Sequence, residues 1–223
     1  MTFPIIFFAA GRGTRMEHLV ADKPKPLIRV AGKALIDHAL DLTDQVAVGQ
    51  RVVNLYYKGR MIRDHLAGTD IVFSDETDDL LETGGGLRNA MPLLGSSPVI
   101  TMNTDAVWRG PNPIETILGT WHDRMEALLL TVPRAQVSGH PGKGDFFQDS
   151  DGRLHRGPGD IYTGLQIIRT DTLADIPYRA FSMNVVWDRM AARGGLYGVS
   201  YAGQWCDVGQ PSSIPLAEAM LNV

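Results

Sequence analysis

Residues 4–10, Pro-Ile-Ile-Phe-Phe-Ala-Ala, are apolar with no polar residue at alternate positions, and they run directly into Gly11-Arg12-Gly13. A strand without a polar face is buried on both sides, which belongs to a parallel sheet covered by helices. The two glycines let the backbone come close to a ligand and aim its N–H groups outward. Thr14, Arg15, Lys23 and Lys25 add a hydroxyl and positive charge just beyond. Such a cradle suits a polyphosphate, held by the backbone N–H groups of Gly11, Arg12, Gly13 and Thr14. Neither the P-loop nor the dinucleotide fingerprint fits, because Met16 stands where each needs its next glycine.

The rest of the chain alternates between two periods. Leu35, Ile36, Ala39, Leu40 and Leu42 have helical spacing and predict a helix over 34–45. Val52–Leu55 reads as a strand, Met61–Leu66 as a helix and Ile71–Phe73 as a strand. Strands are predicted again at 99–102, 126–132, 161–168 and 196–201. Helices are predicted from Leu87, over 113–122, over 181–193 and over 212–221. Strands and helices alternating in this way predict an α/β protein, Rossmann-like, with a doubly wound, mixed but mainly parallel sheet. Ligands of such sheets gather beyond the carboxyl ends of the strands, where Gly11–Arg15 would lie.

Three further stretches carry chemistry. Leu81-Glu82-Thr83-Gly84-Gly85-Gly86 stands directly before a helical pattern, as expected where a helix starts against a flat ligand. Asn103-Thr104-Asp105 follows a buried strand, so Asp105 is placed either to hold a metal or to cap a turn. Residues 133–160 are rich in Gly, Pro, His and Asp without helical period, a polar insertion suited to acceptor specificity. Within it, Asp149–Arg153 lacks the calcium-loop spacing and reads as a hairpin turn. Gly164 inside a strand suggests close approach of a ligand to the backbone.

With 223 residues the chain suits one large domain. A net charge of −4 argues against bulk binding of nucleic acid. Cys206 is the only cysteine, so no internal disulfide or cysteine metal cluster can form. The N-terminal apolar run is too short for a membrane span and lacks a basic leader, so the expectation is a cytoplasmic protein without membrane contact.

The strings AAGRGTRM at 9–16, Pro24-Lys25-Pro26, LETGGG at 81–86, Asn103-Thr104-Asp105, GHPGKGDF at 139–146, FSMNVVWDRM at 181–190 and Trp205-Cys206-Asp207-Val208-Gly209 occur in this order. Together they resemble the sugar-phosphate nucleotidyltransferases, which make NDP-sugars from an NTP and a sugar 1-phosphate. LETGGG with GKGDF is most similar to the branch that uridylates N-acetylmuramate 1-phosphate in bacterial cell-wall (peptidoglycan) recycling. The resemblance covers nearly the whole chain. It implies the nucleotide-diphospho-sugar transferase fold in one domain, 1–223, with a nucleotide-binding part over about 1–110 and a sugar-binding part over about 111–223. It implies Mg²⁺ as cofactor, held by Asp105 and Asp207, and a catalytic set of Arg15, Lys25, Asp105 and Asp207. Arg15 would clamp the β- and γ-phosphates. Lys25 would meet the α-phosphate or the sugar phosphate, with Lys23 left to solvent. Ala10, Gly11, Arg12, Gly13, Thr14, Arg15, Glu82, Gly85 and Asn103 would bind the nucleotide, and Gly144, Asp145, Gly164 and Asn184 the sugar. His140 would either contact the lactyl carboxylate or support its own loop. Thr104 departs from the small glycine usual in relatives. The expected partners are an NTP, UTP in this branch, and a sugar 1-phosphate, with the protein a monomer or weak homodimer. The expectation is a single-activity enzyme, without the acetyltransferase repeat of bifunctional relatives. Two alternatives stay open: another NDP-sugar pyrophosphorylase, acting on glucose or mannose 1-phosphate, and an inactive nucleotide-sugar sensor. The presence of Arg15, Lys25, Asp105 and Asp207 speaks against the sensor.

Overall fold

The computed structural model describes residues 2–76, 79–140 and 142–222. Its centre is a seven-stranded sheet of β1 (Ile5–Phe8), β2 (Arg51–Leu55), β3 (Val72–Asp75), β4 (Val99–Asn103), β5 (Ala127–Val132), β6 (Ile161–Ile168) and β7 (Leu196–Ser200). In space the strands run β7-β5-β6-β4-β1-β2-β3. β1 is parallel to β2 and β4, β2 to β3, and β5 to β7, while β6 is antiparallel to both β4 and β5. The chain leaves β1 toward β2 on one side and later returns on the other as β4. The strand order therefore reverses at β1/β4, and a crevice opens beyond their carboxyl ends.

Among the described residues, α1 (Leu35–Asp41), α2 (Gly59–His65), α3 (Glu82–Leu94), α4 (Pro113–Thr120) and α5 (Met183–Ala192) flank the sheet, while α6 (Ser213–Leu221) packs beside it on Val107, Cys206 and Val208. The unbroken apolar run of β1 is explained by cover on both faces. Ile5 and Phe7 pack in one core with Ile36, Ile62, Ile114 and Ile117 of α1, α2 and α4. Ile6 packs in the other with Leu87, Ala90 and Leu94 of α3 and Val186 and Met190 of α5. Each such side chain contributes about 1.5–3 kcal/mol when fully buried, so no position on this strand tolerates a polar residue facing a helix. Among the described residues no helix is long and apolar enough to cross a membrane.

The sequence pattern places most elements within two residues of their positions here. The predicted turn at 149–153 closes a hairpin of the strands Phe146–Gln148 and Leu154–Arg156. Asp149 Oδ1 accepts the N–H groups of Asp151 and Arg153, both at 2.9 Å. Unforeseen is a three-stranded sheet of Ala106–Arg109, Gln204–Asp207 and Val137–Ser138. These strands are short, and each pairs with partners distant in sequence, so no local periodicity announces them.

The glycine triplet differs from expectation. α3 begins at Glu82 and contains Gly84, Gly85 and Gly86, all buried. At each of them protein occupies the space that a side chain would need. A Cβ on Gly84 would lie 2.4 Å from the Phe181 ring, one on Gly85 2.6 Å from the Arg179 carbonyl oxygen, and one on Gly86 2.8 Å from Glu76 Oε1. Glycine inside a helix costs about 0.8–1.0 kcal/mol relative to alanine, and here steric crowding outweighs that cost. Gly85→Ala gains the helical preference but meets a main-chain carbonyl that cannot rotate away, an overpacking of about 1–3 kcal/mol. The expected result is a melting temperature lower by about 2–4 °C per kcal/mol of net loss, read by thermal denaturation. A raised melting temperature would show that the contact has room.

Candidate active site

The crevice at the β1/β4 switch point is a cleft of about 320 Å³. Ala9, Ala10, Gly11, Gly13, Thr14 and Arg15 line it from the loop after β1, Lys25 and Pro26 from the next turn, Asn103 from the end of β4 with Thr104 and Asp105 just past it, and Glu82 and Thr83 from the start of α3. Gly13 takes a left-handed conformation, φ 64°, and a Cβ there would lie 2.8 Å from Lys25 Cβ. The glycine thus lets the Lys25 turn pack directly on the cradle. Lys25 sits between Pro24 and Pro26 in a short 3₁₀ turn and is only 8% exposed. Its Nζ donates to Asp105 Oδ2 at 2.8 Å.

The small three-stranded sheet is what brings the two aspartates together. Its antiparallel ladder sets Asp207 opposite Ala106, and Val208 N–H donates to the Asp105 carbonyl oxygen at 2.8 Å. Asp207 is buried, and its Oδ2 lies 3.1 Å from His140 Nδ1. Burial first, and the charge of Asp105 second, push the Asp207 carboxyl above its ordinary range. Two carboxylates held close in this way attract a cation. Their all-oxygen donor set, beside the cleft, suits a hard divalent ion that takes its remaining ligands from phosphate and water. Among the described residues no group of three or more His, Cys, Asp or Glu forms a self-contained metal cage. Gly209 completes the wall. A Cβ there would crowd Asp207 Oδ1 at 3.0 Å and Arg15 Nη1 at 3.4 Å, so the Arg15 guanidinium reaches over Gly209 toward the same carboxylate.

Not every predicted residue faces the cleft. Arg12 is turned to Tyr56, donating from Nη2 to its hydroxyl at 3.2 Å with the guanidinium 5.5 Å from the ring centre. Lys23 is exposed. Gly85 is behind the cleft wall, packed on Arg179. Gly164 is approached by the Asn103 side chain, to which a Cβ would come within 2.7 Å, rather than by open space for a ligand. Gly144 folds onto the Gly159 carbonyl, and Asp145 Oδ2 accepts the Tyr162 N–H at 2.9 Å. Asn184, exposed on the first turn of α5, accepts from Arg156 Nη2 at 2.7 Å. Asp145, Gly164 and Asn184 therefore sit on or beside β6 and the head of α5, past the phosphate cradle. Of the 139–146 string, Pro141 lies outside the described residues, as do Thr77 and Asp78 before LETGGG. Thr104, the departure from the usual glycine, bonds Phe8 O from Oγ1 at 2.8 Å and ties the ends of β1 and β4 together, leaving Asp105 in place.

One network escaped the sequence reading. Asn54 Oδ1 accepts the Ala9 N–H at 2.7 Å, and Asn54 Nδ2 donates to Glu76 Oε1 at 2.7 Å. Glu76 Oε2 in turn accepts the Leu81 N–H at 2.9 Å. The ends of β1, β2 and β3 and the entry to α3 are thereby locked together under the cleft. Burial raises the Glu76 carboxyl against the lowering effect of the bonds from Leu81 and Asn54. The available signal was a lone Asn in the apolar strand Val52-Val53-Asn54-Leu55, since a buried amide must find partners.

With this geometry in view, the chain's relatives become informative. A family model described as the MobA-like NTP transferase domain matches residues 5–150. The N-acetylmuramate alpha-1-phosphate uridylyltransferase of Caulobacter vibrioides is 38% identical over 96% of this chain and 94% of its own length. The protein of the same name from Neisseria meningitidis serogroup B is 30% identical over 96% of each. In structure, HddC from Yersinia pseudotuberculosis superposes with a TM-score of 0.77 at 23% identity, over 99% of this chain and 100% of HddC, a likeness of fold. A glycine cradle, a buried lysine and two converging carboxylates at the switch point, matched along most of the chain by these relatives, mark it as a nucleotidyltransferase belonging to the MobA-like NTP transferase domain family.

Proposed function

We propose that the protein transfers UMP from UTP to N-acetylmuramate α-1-phosphate, forming a UDP-sugar and pyrophosphate. The observation that carries this reading is the meeting of Lys25, Asp105 and Asp207 at the mouth of the Gly11–Arg15 cradle. The names of the two relatives that span the chain support the choice of base and sugar. The nucleotide occupies the part over about 1–110 and the sugar the part over about 111–223.

The acceptor phosphate, with a second pKa of about 6, is largely ionised at neutral pH and needs no general base. One of its oxygens attacks the α-phosphorus in line, the bond to the β-phosphate oxygen breaks, and pyrophosphate leaves. The protein's task is to hold two mutually repelling anions in line and to offset the charge that develops. Backbone N–H groups of the 11–14 loop cradle the triphosphate, and Arg15 clamps its β- and γ-phosphates with a forked guanidinium. Lys25 places a point charge where the α-phosphate and acceptor phosphate meet. Asp105 and Asp207 would hold Mg²⁺, which would supply positive charge to offset that of the phosphates. His140 steadies Asp207 from the loop side; of the two roles open to it in sequence, its contact with Asp207 favours loop and carboxylate support.

The test is pyrophosphate release by the purified protein with four NTPs crossed against muramate, glucosamine, glucose and mannose 1-phosphates. Release is expected with UTP and N-acetylmuramate 1-phosphate, lost on adding EDTA and restored by excess Mg²⁺. Release with a different pair alone would overturn the specificity, and release that survives EDTA would overturn the metal role.

A further inference from the structure

Beyond the cradle, the hairpin of the 139–160 segment pairs Phe146 directly with Arg156. The Arg156 guanidinium lies 4.7 Å from the centre of the Phe146 ring and 5.5 Å from that of Trp187. Its Nε and Nη2 donate to Asp188 Oδ1 at 3.2 and 3.1 Å, and Nη2 also donates to Asn184 Oδ1 at 2.7 Å. These contacts fix the plane of the group from one edge. Among the described residues Nη1 donates no hydrogen bond, and the side chain is 43% exposed. Asp188 is more exposed, at 63%, so solvent screens it and it offsets the arginine charge only in part. An oriented guanidinium with an open edge fits a carboxylate.

Its position points to the acceptor. β6 runs antiparallel to β4 with Leu165 opposite Met102, and a Cβ on Gly164 would meet the side chain of Asn103, a lining residue of the cleft. Asp145 accepts the Tyr162 N–H, and the next residue, Phe146, carries Arg156 across the hairpin. On the other side, Asn184 follows Met183, whose N–H donates at 2.9 Å to Thr83 Oγ1, a lining residue of the cleft. Arg156 thus stands between Asp145 and Asn184, next to the segments around Gly164 and Met183 that touch the lining residues Asn103 and Thr83.

We infer that Arg156 recognises a carboxylate on the acceptor sugar and so selects a 3-O-lactyl sugar 1-phosphate over neutral sugars, an assignment that rests on the function proposed above. The lactyl arm sets its carboxylate against Nη1, while Asn184 and Asp188 keep the fork from turning away. A neutral sugar leaves that edge to water and loses one charge-assisted hydrogen bond.

The experiment measures dissociation constants, by calorimetry on the whole protein, for N-acetylmuramate 1-phosphate and for the same compound with its lactyl carboxylate converted to the methyl amide. The native protein is expected to prefer the acid by about 10- to 100-fold, the range of one hydrogen bond between charged groups. Arg156→Ala should remove the preference, with the affinity for the amide changed less than that for the acid. Arg156→Gln keeps the stem on Phe146 and Trp187 and serves if the alanine variant does not fold; it too should bind acid and amide alike. A purely structural role, pinning the hairpin to α5, would weaken both ligands by the same factor and overturn the proposal, as would a native protein that does not distinguish them. Absence of turnover with N-acetylmuramate 1-phosphate by the native protein would instead overturn the function on which the assignment rests.

Discussion

Asp105→Ala abolishes turnover while the fold persists. Asp105 lines the cleft beside Asp207, so on the proposed function its loss removes one of the two charges that would hold a divalent ion there. A metal that stabilises transferring phosphate contributes several kcal/mol, and losing about 4 kcal/mol lowers kcat by about 10³-fold. The fold survives because the structural link at this residue is main chain: the Asp105 carbonyl accepts the Val208 N–H in the variant as in the native protein. Removing the side chain does leave Lys25 without its 2.8 Å partner. Asp105→Asn, which keeps an acceptor for Lys25 but not the charge, separates the two effects and should be equally inactive with a smaller loss of stability. Steady-state kcat with saturating Mg²⁺, beside a circular dichroism melt, reads both. Unchanged kcat in either variant would refute the metal role of Asp105.

Lys25→Ala lowers kcat by orders of magnitude and KM less. Lys25 is held in place by the flanking prolines, by contact with Gly13 and by its bond to Asp105, so its charge is fixed at the cleft wall. Removing one such preorganised group costs about 10²- to 10³-fold in kcat. The nucleotide keeps its backbone cradle and Arg15, so ground-state binding suffers less than the reaction. Lys25→Arg should not restore the rate, because the larger, forked head must fit a site built tightly around a lysine stem at Gly13. Pre-steady-state measurement of the chemical step provides the check. A variant that raises KM with kcat intact would reassign Lys25 to nucleotide binding alone.

Several residues show how far local sequence reaches. The strand–turn–cation run from Ile5 to Lys25 was legible because its parts lie within about twenty positions, and its chemistry follows from short-range backbone geometry. The apolar, non-alternating strands likewise announced two-sided burial. LETGGG was legible as special but not in its reason. The neighbours that demand glycine there are Phe181 and Arg179, about a hundred residues on, and Glu76. At Gly164, too, the group that a Cβ would crowd comes from far in sequence, Asn103 on the adjacent strand.

Sequence alone determined the parallel α/β layering, the glycine turn after β1 and the identity of the charged residues, because patterning and turn chemistry act over a few positions. Only the tertiary structure decided which of those charges meet. Asp105 and Asp207 are about a hundred residues apart, and what joins them is the register of a four-residue ladder that sets Asp207 against Ala106. The same holds for Arg156 beside Asn184 and for Asn54 beneath Ala9. Such pairings depend on strand order and packing summed over the whole chain, and no local stretch of sequence encodes them.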